Sequence, residues 1–244
     1  MKLSGNAILV TGASAGIGFE MAKALLDLGN RVLTCGRRPE RLETARAQLP
    51  QLETYACDIG IADARRELMT WAKRVAPDLN VLINNSGIQH RLNLLAGGAG
   101  SGQYDELAVN LEAPMHLCEL AIPHLAAQAN PAIVNITSGL AFTPSASVPV
   151  YSASKAAMHS YSLSLRYQLR GTRIKVFEVA PPLVQSELHN HQVGGPPPTA
   201  GMATDEFVRE CLRGLSDDVY TNAIGMAAKF YAEREDMLPV LNPP

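Results

Sequence analysis

No stretch of the chain holds about 18 consecutive apolar residues, the length a membrane-crossing helix needs, so a transmembrane reading is excluded. The opening residues also lack the cationic start and long apolar core of a secretory leader. Cysteine is scarce. Cys35, Cys57, Cys118 and Cys211 are scattered without a C-x-x-C pair and read as reduced thiols of a cytoplasmic protein. Positive charge is not in excess: 21 Lys and Arg face 23 Asp and Glu, for a net charge of −2 and a pI near 6.3. That balance argues against a nucleic-acid groove and against a membrane-surface patch. Aromatic residues make up 5% of the chain, and its one tryptophan, Trp71, reads as a packing residue of a helix. No internal repeat is visible beyond α/β alternation, and no linker marks a second domain. The 244 residues suit one large α/β domain spanning residues 1–244. His189-Asn-His191 has the spacing of a metal pair, but no further ligand cluster accompanies it, so no metal is expected and a mobile loop is the reading there.

What is present begins with an apolar run, Asn6–Thr11, ending in Thr11-Gly-Ala-Ser-Ala-Gly-Ile-Gly18. An apolar-periodic helix follows from Ile17 to Leu28 and stops at Gly29. Strand, glycine-rich turn and helix together form a cradle for dinucleotide phosphates. Gly12 allows the tight turn, Gly16 lets the backbone approach a pyrophosphate, and Gly18 lets the helix pack close, with Ser14 and Ile17 in the same turn. The helix N-terminus adds free N–H groups and a positive dipole end. Further strands are predicted at Arg31–Cys35, Gln51–Ala56, Leu79–Asn84, Ala132–Thr137 and Arg173–Val179, with a last one near Asp218–Ile224. Helices are expected over Pro39–Gln48, Ile61–Val75, Tyr104–Gln128, Thr204–Gly214 (capped by Thr204) and Met226–Glu235. Pro114 lies inside the helix over Tyr104–Gln128. It has no N–H for the carbonyl of Asn110, so a kink is expected that leaves this carbonyl free.

Tyr151-Ser-Ala-Ser-Lys155 places a tyrosine and a lysine one above the other on a helix face. A tyrosine pKa near 10 moves to about 7 only if the phenolate is favoured by roughly 4 kcal/mol. An ammonium about 4 Å away supplies that much at an effective dielectric near 20. A lowered Tyr151 is therefore expected, with Ser138 hydrogen-bonding the oxygen at which the proton is exchanged. Alone, Y-x-x-x-K reads as an ordinary helix surface, and the rest of the chain overturns that reading.

Taken together, Gly12-x-x-x-Gly16-x-Gly18, Asn84-Asn-Ser-Gly87, Ser138 and Tyr151-x-x-x-Lys155 resemble the short-chain dehydrogenase/reductase family, over about residues 5–190. The resemblance implies a Rossmann-like, three-layer, doubly wound parallel sheet and nicotinamide-dependent chemistry on a carbonyl or alcohol. It implies a catalytic set of Asn110, Ser138, Tyr151 and Lys155, with the Asn110 carbonyl holding a water on the proton path. Lys155 and Tyr151 would also touch the cofactor, as would Asn85, Ser86 and Gly87. The chain carries Ser86 where the family more often has alanine. Asp58 would meet the adenine; a helix N-cap is its other reading. NAD-preferring relatives end the second strand with a carboxylate, whereas this chain has Gly36 followed by Arg37 and Arg38. Guanidinium groups match a 2′-phosphate, so NADP(H) is favoured over NAD(H), the alternative being two arginines that only solvate a loop.

After the sixth strand, Ala180-Pro-Pro-Leu-Val-Gln-Ser-Glu187 stands where the family has Pro-Gly and then Val-x-Thr. Pro181, Val184 and Ser186 would touch the nicotinamide end, and Pro182 in the glycine's place is expected to reshape it. The run from Phe177 to Leu188 looks most like a bacterial subgroup named DltE-like. Residues 183–203 are expected to form a substrate lid and Gly139–Val150 the opposite wall. Both are mainly apolar, which points to a small uncharged ketone, aldehyde or alcohol. His90 and Arg91, with the loop through Gly97–Gly102, border the cleft. His90 reads as a solvated loop histidine, a substrate contact being the alternative. A homodimer or homotetramer is expected, but the chain departs from the family's usual ending after about residue 215. The rival function is a nucleotide-binding sensor or scaffold without turnover.

Overall fold

Among the described residues all the strands run parallel. The computed structural model describes residues 1–96, 105–189 and 200–242. The first half alternates strictly: β1 (Ala7–Thr11), α1 (Gly16–Asp27), β2 (Arg31–Gly36), α2 (Pro39–Gln48), β3 (Glu53–Ala56), α3 (Ala62–Val75) and β4 (Leu79–Asn84). Next come α4 (Asp105–Leu107), a π-helical turn over Ala108–Glu112, and α5 (Ala113–Leu125). Then follow β5 (Ala132–Ile136), α6 (Pro149–Gln168), β6 (Lys175–Ala180), α7 (Thr204–Ser216) and β7 (Thr221–Ala223). The C-terminal part is α8 (Met226–Glu233), a 3-10 turn and α9 (Leu238–Leu241).

The sheet order is β3-β2-β1-β4-β5-β6-β7. Strand succession reverses between β1 and β4, and at such a reversal the loops part to leave a crevice above the strands' C-terminal ends. Side chains alternate faces along each strand, so the sheet divides the core in two. Ile8, Val10, Val134 and Phe177 face α1 and α7 on one side. Leu9, Ile133 and Val176 face α3, α5 and α6 on the other. This is the three-layer α/β architecture expected. The stop at Gly29 is also found. Its φ is +77°, and the amides of Gly29 and Asn30 bond back to Leu26 and Leu25, closing the end of α1.

Several local expectations are corrected. Ile61, not Asp58, occupies the cap position of α3, and no side chain caps that helix. The Asp58 carboxylate instead accepts the Gly60 amide at 2.9 Å in a tight turn. Thr204 is the first residue of α7 rather than its cap, and its hydroxyl donates to the Gln185 carbonyl at 2.7 Å. Pro114 does not sit inside one continuous α-helix. The chain takes up one extra residue per turn before it, the Ala113 amide bonding to the Ala108 carbonyl, and Pro114 falls in the first turn of α5, where a missing N–H is harmless. The segment Gly139–Val150, expected as a substrate wall, packs under the C-terminal segment and, through the Ser147 carbonyl, against Leu92 of the loop after β4. A Cβ on Gly139 would meet Ala227 and Phe230 at 3.0 Å. The Thr143 hydroxyl donates to the Arg234 carbonyl and the Ala146 amide to Asn242. The loop Gly97–Gly102, the proline-rich stretch after Gly194 and the middle of the expected lid lie outside the described residues.

Candidate active site

The crevice above β1 and β4 is a cleft of about 770 Å³. At its centre is the glycine turn. Gly12 and Gly16 have φ of +73° and +57°, in the left-handed region where other residues are strained. A Cβ on Gly12 would come within 2.6 Å of the Ser86 hydroxyl, and one on Gly18 within 2.6 Å of the Gly12 carbonyl and 2.4 Å of the Asn85 amide. No side chain caps α1 and no acidic residue lies in its first turn, so its N-terminal amides are free for an anion. Bare backbone, free amides and the neighbouring Arg37 and Arg38 fit a phosphate-bearing dinucleotide. Gly18→Ala is accordingly expected to lower stability by about 1–3 kcal/mol through overpacking and to weaken dinucleotide binding. Urea unfolding and a fluorescence titration check both; an unaltered protein would remove the close-packing role of Gly18.

The far wall is Asn85–Gly87, and its attachment rests on a residue that sequence reasoning passed over. The Thr11 hydroxyl accepts the amides of Asn85 and Ser86, each at 3.0 Å, while the Asn85 side chain donates to the Thr11 carbonyl at 2.9 Å. Asp58 and Pro181 also line the cleft, as do Ser14, Ile17 and Ser186. Val184 does not. It is buried, in an isolated parallel bridge with Met202. Pro182 packs towards Gly225 rather than the cleft. Arg91 is exposed and is not among the cleft residues, whereas His90 is. Glu187 reaches the cleft edge and pairs with Arg41 of α2, a partnership between residues far apart in the chain.

Tyr151 and Lys155 both face the cleft from α6, and each is only 4% exposed. The electrostatics differ from the expectation. Burial pushes Tyr151 up to about 12, partly countered by a hydrogen bond with Ser138, and the nearby Glu106 carboxyl raises it further. Burial lowers Lys155 to about 8. The ammonium lies 5.6 Å from the Tyr151 ring centroid and donates to the Ile136 carbonyl at 3.0 Å. Loss of water around both groups thus outweighs their attraction. A phenol held neutral is a proton donor. Ser138 sits at the end of β5 and is buried, its Oγ accepting the Leu140 amide.

Asn110, in the π turn, is buried. Its carboxamide grips the backbone of Ile88, accepting the amide at 2.9 Å and donating to the carbonyl at 2.8 Å, and it reaches Ser154 of α6 at 3.3 Å. Glu106, also missed by the sequence reading, is buried with its carboxylate on the His90 amide, and burial raises its pKa. Among the described residues no group of His, Cys, Asp and Glu could hold a metal. All four cysteines are free thiols and buried. No helix among the described residues is long and apolar enough to cross a membrane.

Comparison with known proteins agrees with this geometry. The family model described as short chain dehydrogenase matches residues 6–194. The chain is 46% identical over 219 residues to the uncharacterized oxidoreductase DltE of Bacillus subtilis (strain 168), covering 89% of this chain and 87% of that protein. It is 30% identical over 178 residues to the NADP-dependent 3-hydroxy acid dehydrogenase YdfG of Salmonella typhi, covering 72% of each. Among solved structures, a short chain dehydrogenase from Burkholderia cenocepacia J2315 in complex with NADP superposes with a TM-score of 0.83 at 27% identity, over 96% of this chain and 94% of that one. A Burkholderia phymatum short chain dehydrogenase/reductase in complex with NAD shares the fold with a TM-score of 0.84 at 17% identity, over 100% and 98% of the two chains. The sheet order, the glycine turn and these likenesses converge, and the chain belongs to the short-chain dehydrogenase family of oxidoreductases.

Proposed function

We propose that this oxidoreductase uses NADP(H) to reduce a small uncharged ketone or aldehyde, or to oxidise the corresponding alcohol. The observation that carries the reading is the buried Tyr151 and Lys155 on the cleft face of α6. Keeping a lysine out of water is unfavourable, and its placement on one helix face with a buried phenol suits proton transfer. In reduction the neutral Tyr151 phenol gives its proton to the carbonyl oxygen, and Ser138 orients that oxygen. Lys155 would hold the ribose hydroxyls of a bound cofactor and return a proton to Tyr151, and Asn110 would continue the path. When bound, the nicotinamide supplies the hydride. Residues 1–244 are read as one such domain in a cytoplasmic homo-oligomer, with 183–203 as its lid.

The preference for NADP(H) rests on Arg37 and Arg38 at the cleft edge beside Gly36, where no carboxylate ends β2. The NADP-bound relative supports it, and the NAD-bound one shows that the fold accommodates either. Arg37→Asp is expected to lower the NADPH-to-NADH affinity ratio by about tenfold or more, since a carboxylate repels the 2′-phosphate that a guanidinium would pair with. Fluorescence titration with both nucleotides measures it; an unchanged ratio would sink the assignment. For the whole reading, NADPH binding followed by a panel of ketones, aldehydes and 3-hydroxy acids, monitored by nicotinamide absorbance, is the test. The hydroxy acids are included because YdfG is named for them. Turnover of an uncharged carbonyl supports the proposal. Binding without any turnover would favour a sensor.

A further inference from the structure

Arg65 is the largest fully buried side chain among the described residues, and no step of the proposed chemistry uses it. A guanidinium taken out of water is strongly unfavourable unless its donors are met. Here three nitrogens reach three separate segments. Nη1 donates to the Ile59 carbonyl at 2.7 Å, in the loop after β3. Nη2 donates to Glu112 at 2.6 Å, at the end of the π turn. Nε donates to Nδ1 of His116 at 2.9 Å, in α5.

The π turn has one residue more than α geometry allows, and its relaxation to α would rotate the residues on one side by about 100° relative to those on the other. Asn110 lies inside that turn, and the grip of its carboxamide on both polar groups of Ile88 depends on the register. Next to Ile88 is Gly87, where a Cβ would stand only 3.4 Å from the Asn110 carboxamide oxygen and 3.7 Å from the Lys155 ammonium. The Glu112 side chain, by contrast, is 65% exposed and packs little; its carboxylate on Arg65 ties the turn to α3.

We infer that Arg65 is a positioning residue: through Glu112 it holds the π register, so that Asn110 fixes Ile88 and keeps Gly87 seated against Lys155. The inference rests on the roles of Asn110 and Lys155 proposed above. It is tested on the full chain with Arg65→Met, Glu112→Ala and Glu112→Gln, by hydrogen exchange at the Ile88 amide and by kcat and KM for a substrate found in the panel. Arg65→Met and Glu112→Ala are expected to speed Ile88 exchange by about tenfold or more, the scale of losing one hydrogen bond to a charged group. The same two variants should lower kcat by about tenfold with KM for NADPH within about threefold. Glu112→Gln, whose amide oxygen still accepts from Arg65, should stay near the parent in both. Unchanged Ile88 exchange in the folded variants would overturn the proposal, as would equal damage from Gln and Ala at position 112. If Arg65→Met fails to fold, the exposed Glu112 pair decides. Lack of turnover in the parent chain would count against the proposed function, while Ile88 exchange would still judge Arg65.

Discussion

Replacing Tyr151 by phenylalanine is expected to lower turnover by about 10³-fold, the scale of one positioned acid–base group, and to leave nucleotide affinity nearly unchanged. The ring stays: it is buried, packed from α6 against the cleft, and phenylalanine fills the same space. Only the hydroxyl goes, together with its hydrogen bond to Ser138. Because burial pushes Tyr151 up to about 12, the phenol of the parent enzyme remains protonated throughout the neutral range. The reductive rate should therefore show no loss from tyrosine ionisation between pH 6 and 8, a window well below that value. Single-turnover rates and a binding titration separate the two effects. A variant with the parent's turnover would remove Tyr151 from the mechanism.

Lys155→Met should be inactive and yet more stable. Burial lowers the lysine from its ordinary 10.5 to about 8. Between those two pH values the unfolded chain binds more protons than the folded one, so stability contributed by this group rises with pH across the window. Below about pH 8 the unfavourable charging of the buried lysine is fully present, and the displacement corresponds to about 3 kcal/mol. Methionine loses the hydrogen bond from the charged ammonium to the Ile136 carbonyl, worth about 2 kcal/mol, leaving a net gain on the order of 1 kcal/mol at pH 7. Tyr151 has the opposite sign: its pKa is raised from 10.0, so its contribution is present below pH 10 and is lost as pH climbs towards 12. Urea unfolding of parent and variant at pH 7 and pH 10 checks the sign. A less stable variant at pH 7 would mean that Lys155 is not held at an energetic disadvantage.

The residues that meet in the cleft were legible because the fold gathers them by rule. Gly12, Asn85 and Pro181 each follow a strand, and parallel strands deliver their C-terminal ends to one edge. The bounds of α2 and β4 were also readable, since proline starts the one and uniform burial marks the other. What escaped was set by distant partners. Pro114 announced a disturbed helix, but the extra residue taken up before it lies beside a partner, Arg65 of α3, that is distant in the sequence. Y-x-x-x-K spacing made Tyr151 and Lys155 neighbours, while their distance from water, which dominates both pKa values, came from the surrounding elements. Val184 looked like a cleft residue until its bridge to Met202 turned it inward.

The contact of α8 with Gly139 has a practical consequence. The loop that carries Ser138 is held from outside, by Ala227 and Phe230 and by the Arg234 carbonyl on Thr143. An engineer wishing to alter selectivity therefore has a handle outside the cleft lining: Ala227 is buried and Phe230 half-buried behind it. Repacking Ala227 or Phe230 would press on the serine's loop from the side away from the cleft.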